Sequence, residues 1–165
     1  QGCFIEILER IKQQLAAMLS HHCKILVVRL DLHVESYQPE NEIMSKFIRK
    51  VRKKLYAYYD FKRLGFIWAR EQEKAKQQHY HLAFFMDANK VRHPDRLISI
   101  CERVAKAWEL FLFTPKNCYY LINRSDSKAY KAAFHRLSYL SKERGKGYKA
   151  KSANDYSASR IKQRL

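Results

Sequence analysis

The chain has 165 residues, of which 47% are hydrophobic and 13% aromatic; this fits one domain with its own core and excludes a wholly disordered chain. Lys and Arg total 33 against 16 Asp and Glu, a formal net charge of +17, which favours a polyanionic partner, nucleic acid ahead of an anionic membrane. No apolar run approaches the ~20 residues that cross a bilayer, and scattered cysteines without a Cys-x-x-Cys pair favour reduced thiols in a cytosolic protein.

The first two elements are predicted to be a helix over residues 3–20 and a strand over residues 24–34. The helix carries apolar residues at helical spacing, and the strand alternates between a fully apolar side and a more polar one. Such alternation is typical of a sheet that packs one face on a core. Arg29, Asp31 and His33 share the more polar side, where they either face solvent or line a functional site.

A second amphipathic helix is predicted over residues 42–59, followed by strands at 65–71 and 79–85. The outer face of this helix is dense in Lys and Arg. A charged helix face usually just contacts solvent, but a single sign of charge also suits phosphate contact. The polar connection between the two strands predicts an antiparallel hairpin.

His79 and His81 are the first candidate metal ligands. Side chains alternate along a strand, so both imidazoles point to one face with their Cα atoms about 7 Å apart. That spacing suits two ligands of a single metal ion, although two unrelated histidines on a half-exposed strand would give the same pattern. Glu71 ends the preceding strand and is the expected third ligand, with Glu73 in the connecting loop as a weaker candidate.

A third helix is predicted to begin at Pro94, since proline is favoured in a first turn, and its apolar stripe extends to Leu112. A short aromatic strand at 118–122 follows, and then a last helix over about 127–143. Beyond it, residues 146–165 are basic and poor in apolar residues, which predicts a flexible tail.

Tyr139 lies on the polar side of the last helix, almost opposite its apolar stripe and beside His135 and Lys142. A structural tyrosine would normally join the apolar stripe. This placement makes Tyr139 a candidate nucleophile with Lys142 as its helper. The alternative is an ordinary surface tyrosine among basic residues.

Together these elements predict an α+β domain over residues 1–145. The order is an extra N-terminal helix, then βαββαβ, then a closing helix, which is the split-βαβ (RRM-like) layout of a mostly antiparallel sheet with helices packed on one face. The uncovered face would carry Glu71, His79 and His81, and the closing helix would bring Tyr139 across it.

Two histidines, a carboxylate and a tyrosine suggest phosphodiester chemistry. A divalent cation, Mg²⁺ or Mn²⁺, stabilises charge on a phosphate while a tyrosine hydroxyl attacks phosphorus and forms a covalent phosphotyrosine. Tyrosine has an ordinary pKa of about 10, so a nearby cation is needed to favour the phenolate. Basic side chains predicted to contact the DNA are Arg29, Arg70, Lys131, His135 and Arg136.

The segments 79–81 (His-Tyr-His) and 139–142 (Tyr-Leu-Ser-Lys) resemble two signatures of the HUH endonucleases, the His-hydrophobic-His pair and the Tyr-x-x-Lys motif of single-tyrosine replication initiators. With segments 29–33 and 68–71, the chain is most similar to the replication proteins of inovirus-type (filamentous) phages and prophages, over roughly residues 24–145.

The resemblance implies nicking of one DNA strand at an origin or hairpin to start rolling-circle replication, in the cytoplasm of a bacterial host. It implies a 5′-phosphotyrosine link, a free 3′-hydroxyl for a host polymerase, and a host helicase as a further partner. His79 and His81 would be metal ligands, Tyr139 the nucleophile and Lys142 its helper. No second tyrosine lies three or four residues from Tyr139, which argues against a two-tyrosine mechanism.

Three rival functions remain open from the sequence. A split-βαβ sheet with exposed aromatic residues also binds single-stranded nucleic acid without any chemistry. A relaxase or transposase would share the same site. A hydrolytic nuclease would use metal-bound water and would not need Tyr139.

Overall fold

The structure is a computed structural model that describes residues 2–71, 78–142 and 154–165. Within these residues the secondary structure comprises α-helices, short and long β-strands and a single 3₁₀ turn. The helices are α1 Gly2–His21, α2 Glu42–Tyr58, α3 Asp95–Ala107 and α4 Ser127–Leu137, and the 3₁₀ turn is Ser138–Ser141. The strands are β1 Lys24–His33, β2 Gly65–Glu71, β3 His79–Asp87, β4 Phe111–Phe113, β5 Tyr119–Asn123 and β6 Tyr156–Ala158.

All the strands belong to one sheet in the order β4-β1-β3-β2-β6, and β5 pairs with the same edge of β1 as an additional partner. Every pairing is antiparallel. The α+β class, the antiparallel sheet and the preceding N-terminal helix are therefore as predicted. None of the described helices is long and apolar enough to cross a membrane.

The prediction that helices cover only one face of the sheet is wrong. On one face, α2 and α3 pack on the even-numbered side of β1 and β3 in a core that includes Leu30 and Leu82. On the other face, α1 and the end of α4 pack on the odd-numbered side in a second core that includes Ile25, Val27 and Phe85. The physical reason is that β1 is apolar on both sides over its first half, so both sides require cover.

Helices α1 and α4 cover only part of this second face. The odd-numbered side of β1 becomes polar from Arg29 onward. The strand register places the start of β3, at His79, and the end of β2, at Glu71, beside this polar part of β1. Buried apolar residues at the other end, such as Ile67 and Phe85, hold the two helices. The polar end of this face is therefore partly exposed, next to a buried apolar cluster.

Two element boundaries differ from the sequence prediction by more than two residues. Helix α3 ends at Ala107, and Glu109 takes a positive φ of 57°, so the chain turns and Leu112 lies in strand β4 instead of the helix. Helix α4 ends at Leu137 and tightens into the 3₁₀ turn that contains Tyr139.

The described part of the predicted flexible tail is ordered against the sheet. Strand β6 pairs with β2, and Ser159 is 5% exposed. Its hydroxyl accepts a hydrogen bond from the Phe66 amide at 3.0 Å, and its carbonyl accepts one from Gln14 Nε2 at 2.8 Å. Residues 146–153 of that predicted tail, and Glu73, lie outside the described residues.

Candidate metal centre

The strand register brings together the three residues predicted as metal ligands. Glu71 on β2 lies directly opposite His79 on β3, and His81 is on the same face two residues along. One ligand atom from each of the three lies within 4.8 Å of the others. Such a cluster within hydrogen-bonded strands is held by the backbone and does not depend on a loop conformation.

The two imidazoles contact Glu71 unequally. His81 Nε2 lies 2.8 Å from Glu71 Oε2, a hydrogen-bond distance, whereas His79 Nε2 lies 3.7 Å from Glu71 Oε1. The two rings are perpendicular, with centroids 5.0 Å apart. Both histidines are partly exposed, with 24% of the His79 side chain and 16% of the His81 side chain accessible, so a small ligand can reach them.

Asp31 is the residue that completes the centre, and sequence analysis did not single it out from its neighbours. It lies opposite His81 across the β1–β3 pair. Its Oδ1 atom is 2.6 Å from His81 Nδ1 and 2.6 Å from Arg29 Nη1. A carboxylate that accepts the Nδ1–H of a metal-binding histidine fixes both the tautomer and the ring orientation.

The charges around the centre set the protonation of these groups. Burial alone would raise the pKa of Asp31, but the hydrogen bond from His81 and the charge of Arg29 outweigh it and lower the pKa to about 2. Burial and the neighbouring His81 lower the pKa of His79 to about 4, which leaves it neutral at physiological pH. Burial opposes protonation of His81 too, but hydrogen bonds to Asp31 and Glu71 raise its pKa.

His33 extends the centre toward the sheet edge. It lies opposite His79 on β1, and the two rings stack with centroids 4.9 Å apart and an interplanar angle of 11°. His33 is exposed, whereas His79 is only partly exposed. Of the three polar residues on β1, Asp31 therefore orients a candidate ligand and His33 packs against another.

The donor set fits a divalent transition ion. Imidazole nitrogen is favoured by ions such as Zn²⁺, Fe²⁺ and Ni²⁺, whereas carboxylate oxygen is favoured by Mg²⁺ and Mn²⁺. Two imidazoles with one carboxylate fit Mn²⁺ better than Mg²⁺, because Mg²⁺ usually binds through carboxylates and phosphates. His79, His81 and Glu71 would hold the ion, and Asp31 would support His81 from behind.

Tyr139 lies on the same side of the sheet as this centre. Leu140, the next residue, is fully buried in the apolar cluster that includes Ala69 and Ala83, which are strand neighbours of His81. Tyr139 itself is 38% exposed. Lys142 Nζ lies 4.4 Å from the centroid of its ring, so the predicted pair of tyrosine and lysine is in contact.

The five predicted DNA-binding residues fall into two groups. Arg29 and Arg70 are 5% and 2% exposed, so neither offers a surface contact. Lys131 and His135 are exposed on α4, and Arg136 is partly exposed, with its guanidinium donating to the Lys116 carbonyl at 3.0 Å. The last three line the α4 surface that leads to Tyr139.

Arg70 instead has a structural role. It occupies an even-numbered position on β2, so its side chain points to the face opposite Glu71. There the guanidinium donates to the carbonyls of Gln38 at 2.7 Å and Glu40 at 3.2 Å, and to Asn41 Oδ1 at 3.1 Å. These bonds fasten the loop between β1 and α2 onto the sheet.

An antiparallel split-βαβ sheet that gathers two histidines and a glutamate at the open end of one face defines an α+β domain with a candidate metal centre. Within this class, the chain belongs to the YagK/YfjJ C-terminal domain family, whose model matches residues 1–155. No curated protein and no solved structure matches the chain.

Proposed function

We propose that this protein is a metal-dependent endonuclease that nicks and rejoins single-stranded DNA through a covalent 5′-phosphotyrosine on Tyr139, of the kind that starts rolling-circle replication. The observation that carries the proposal is the cluster of Glu71, His79 and His81, oriented by Asp31, on the sheet face where the turn bearing Tyr139 and Lys142 also packs.

In the proposed reaction, each side chain has a separate task. Glu71, His79 and His81 hold a divalent cation, which when bound stabilises the negative charge that develops on the phosphate oxygens. Asp31 keeps His81 Nδ1 protonated, so that its Nε2 faces the cation. Tyr139 supplies the attacking hydroxyl, and Lys142, in contact with its ring, supplies a positive charge beside it.

The covalent step exchanges one phosphoester for another. The Tyr139 oxygen forms a bond to phosphorus as the bond from phosphorus to the 3′ oxygen breaks. The phenolic proton passes to solvent, and the 3′ oxygen takes up a proton and leaves as a hydroxyl. Because the bond energy is kept in the phosphotyrosine, the reverse attack by a 3′-hydroxyl rejoins the strand without a further co-reactant.

A binding module without catalysis is the second candidate, because exposed phenylalanines accompany the centre on the same face. That function would use the aromatic surface but would give no role to His79 and His81, whose imidazoles lie close to the carboxylates of Asp31 and Glu71. A relaxase or transposase would use the same centre and differs only in the DNA that it processes.

The test uses a random-sequence library of single-stranded DNA, labelled at its 3′ end, with Mn²⁺ and the whole chain. A 5′-phosphotyrosine links the protein to the labelled downstream fragment, so we expect a labelled protein band on a denaturing gel. The same library labelled at its 5′ end should yield shorter fragments that a polymerase can extend, because they end in a 3′-hydroxyl.

Tyr139→Phe should abolish the labelled band and leave DNA binding unchanged. Tyr119→Phe is a matched control, because Tyr119 is also 38% exposed but lies on β5 opposite Val28, on the other face of the sheet. Cleavage by Tyr139→Phe at the wild-type rate would establish a water-dependent nuclease instead. No cleavage and no adduct with the wild type would leave the binding module.

A further inference from the structure

Strand β4 exposes two phenylalanines at the edge of the sheet. Phe111 and Phe113 are 75% and 56% exposed, which makes them two highly exposed aromatic residues on one short strand. Apolar rings left in water at this level commonly mark an interaction surface. Nothing in the packing of β4 requires them there, because the strand contacts the core through Leu112 between them.

The strand register places both rings beside the candidate metal centre. Phe113 lies opposite Asp31 and Phe111 opposite His33, and paired residues of antiparallel strands point to the same face. One row across the sheet therefore runs Phe111, His33, His79, Glu71. An open cavity of about 410 Å³ is lined by Asp31, His33 and the two phenylalanines.

We infer that Phe111 and Phe113 form a stacking platform for unpaired nucleobases of the DNA strand whose phosphate lies at the metal centre. Every base offers a flat π-face, and stacking on aromatic side chains is the usual way in which proteins bind single strands. The two rings are two residues apart on a strand, which is about 7 Å at Cα. Bases locked in a duplex cannot reach such rings, so the platform selects single-stranded substrate.

The charge of the chain favours this occupant over a second copy of the protein. At a net charge of +17, two copies repel each other, whereas a DNA strand is attracted. Strand β4 is also only three residues long, which offers little backbone for edge-to-edge pairing. Exposed His33, stacked on His79, continues the aromatic surface from the platform to the centre.

The inference rests on the proposed function for the identity of the polymer, but its test does not need catalysis. Fluorescence anisotropy in EDTA would compare a labelled dT₂₀ strand, an abasic strand of the same length and a duplex. The wild type should bind dT₂₀ more tightly than the abasic strand. Removal of one stacked base contact typically weakens binding roughly 5- to 150-fold.

Phe111→Ala and Phe113→Ala should each weaken dT₂₀ binding by a factor in that range and leave abasic binding unchanged. Leucine at either position keeps apolar area without a ring and should behave like alanine, whereas Phe113→Trp should bind as the wild type does. Tyr56→Ala is the control, since Tyr56 is 40% exposed on α2, which packs on the opposite face.

Equal binding of dT₂₀ by wild type and the double alanine variant would overturn the inference. An equal loss of affinity for the abasic strand would also overturn it. So would a wild type that is dimeric and a double variant that is monomeric. The outcome is separate from that of the nicking test. Base-dependent binding without any covalent adduct would support the platform and contradict the nuclease, whereas an adduct with unaltered binding by the variants would do the reverse.

Discussion

Replacing Asp31 by Asn tests the electrostatic support of the centre most directly. Asp31 accepts hydrogen bonds from Arg29 and His81, each at 2.6 Å. The Arg29 and Asp31 side chains are only 6% and 13% exposed. Asparagine keeps the shape of the side chain but removes its charge, so the substitution leaves the guanidinium buried without a counter-ion.

Two estimates of the destabilisation agree. Removing one partner of a buried ion pair typically costs about 3 to 5 kcal/mol. Arg29 also donates to the Leu30 carbonyl, which keeps part of its hydrogen bonding and places the expected cost near the lower end. Separately, a fall in the pKa of Asp31 from 3.8 to about 2 corresponds to about 2.5 kcal/mol. We therefore expect a loss of about 3 kcal/mol.

Urea unfolding in EDTA measures this loss, and a double-mutant cycle with Arg29→Met isolates its cause. Because the second substitution removes the stranded cation, the double variant should be more stable than the sum of the two single losses by about 2 kcal/mol. Asp95→Asn is the control, since its partner His93 forms an exposed pair, which contributes little. Additive losses for Arg29 and Asp31 would refute the reasoning.

Three other predictions follow from the same contacts. Mn²⁺ at about 100 times its Kd should stabilise the protein by about 2.7 kcal/mol, which raises Tm by about 5 to 10 °C in a thermal melt. Glu71→Gln should lose most of this gain. A rise in Tm that is the same in Glu71→Gln as in the wild type would argue against the centre. In EDTA, the wild type should lose stability relative to His79→Gln as pH falls from 6.5 to about 4. Burial, and next the neighbouring His81, lower the pKa of folded His79 to about 4, whereas the unfolded chain binds the proton near pH 6.5. Urea midpoints of the two proteins that stay parallel across that range would contradict this prediction. Arg70→Met should destabilise the fold by about 3 kcal/mol, because it leaves the carbonyl and amide acceptors of the loop between β1 and α2 without their donor. It should leave dT₂₀ affinity unchanged, whereas a specific loss of binding would restore the predicted DNA contact.

Local patterns predicted the longer elements of this fold, because the spacing of apolar residues differs between strands and helices. The three-residue strands β4 and β6 were not predicted. The alternation along β1 and the stripe of α2 both identify the correct elements and the correct buried side. The same alternation was over-interpreted in one respect. Ile25 and Val27 are apolar on the side that becomes polar only from Arg29, and they are the residues that α1 covers. A strand apolar on both sides at one end predicts a second layer there.

The pairing of residues across strands is a non-local property that the sequence does not supply. Arg29, Asp31 and His33 look equivalent along the chain, and only the β1–β3 register shows that Asp31 meets His81 and His33 meets His79. The position of Arg70 was predictable, however. It precedes Glu71 directly, so the two must point to opposite faces of β2.

The local charge of the centre determines what a bound cation would change there. The carboxylates of Asp31 and Glu71 contact Arg29 and His81. Burial opposes protonation of His81, but hydrogen bonds to these carboxylates raise its pKa, whereas His79 is neutral. A DNA phosphate drawn in by the charge of the whole chain would therefore meet a site with no net attraction of its own. A divalent ion held by His79, His81 and Glu71 reverses that balance, so the centre should accept a phosphate only when the ion is bound.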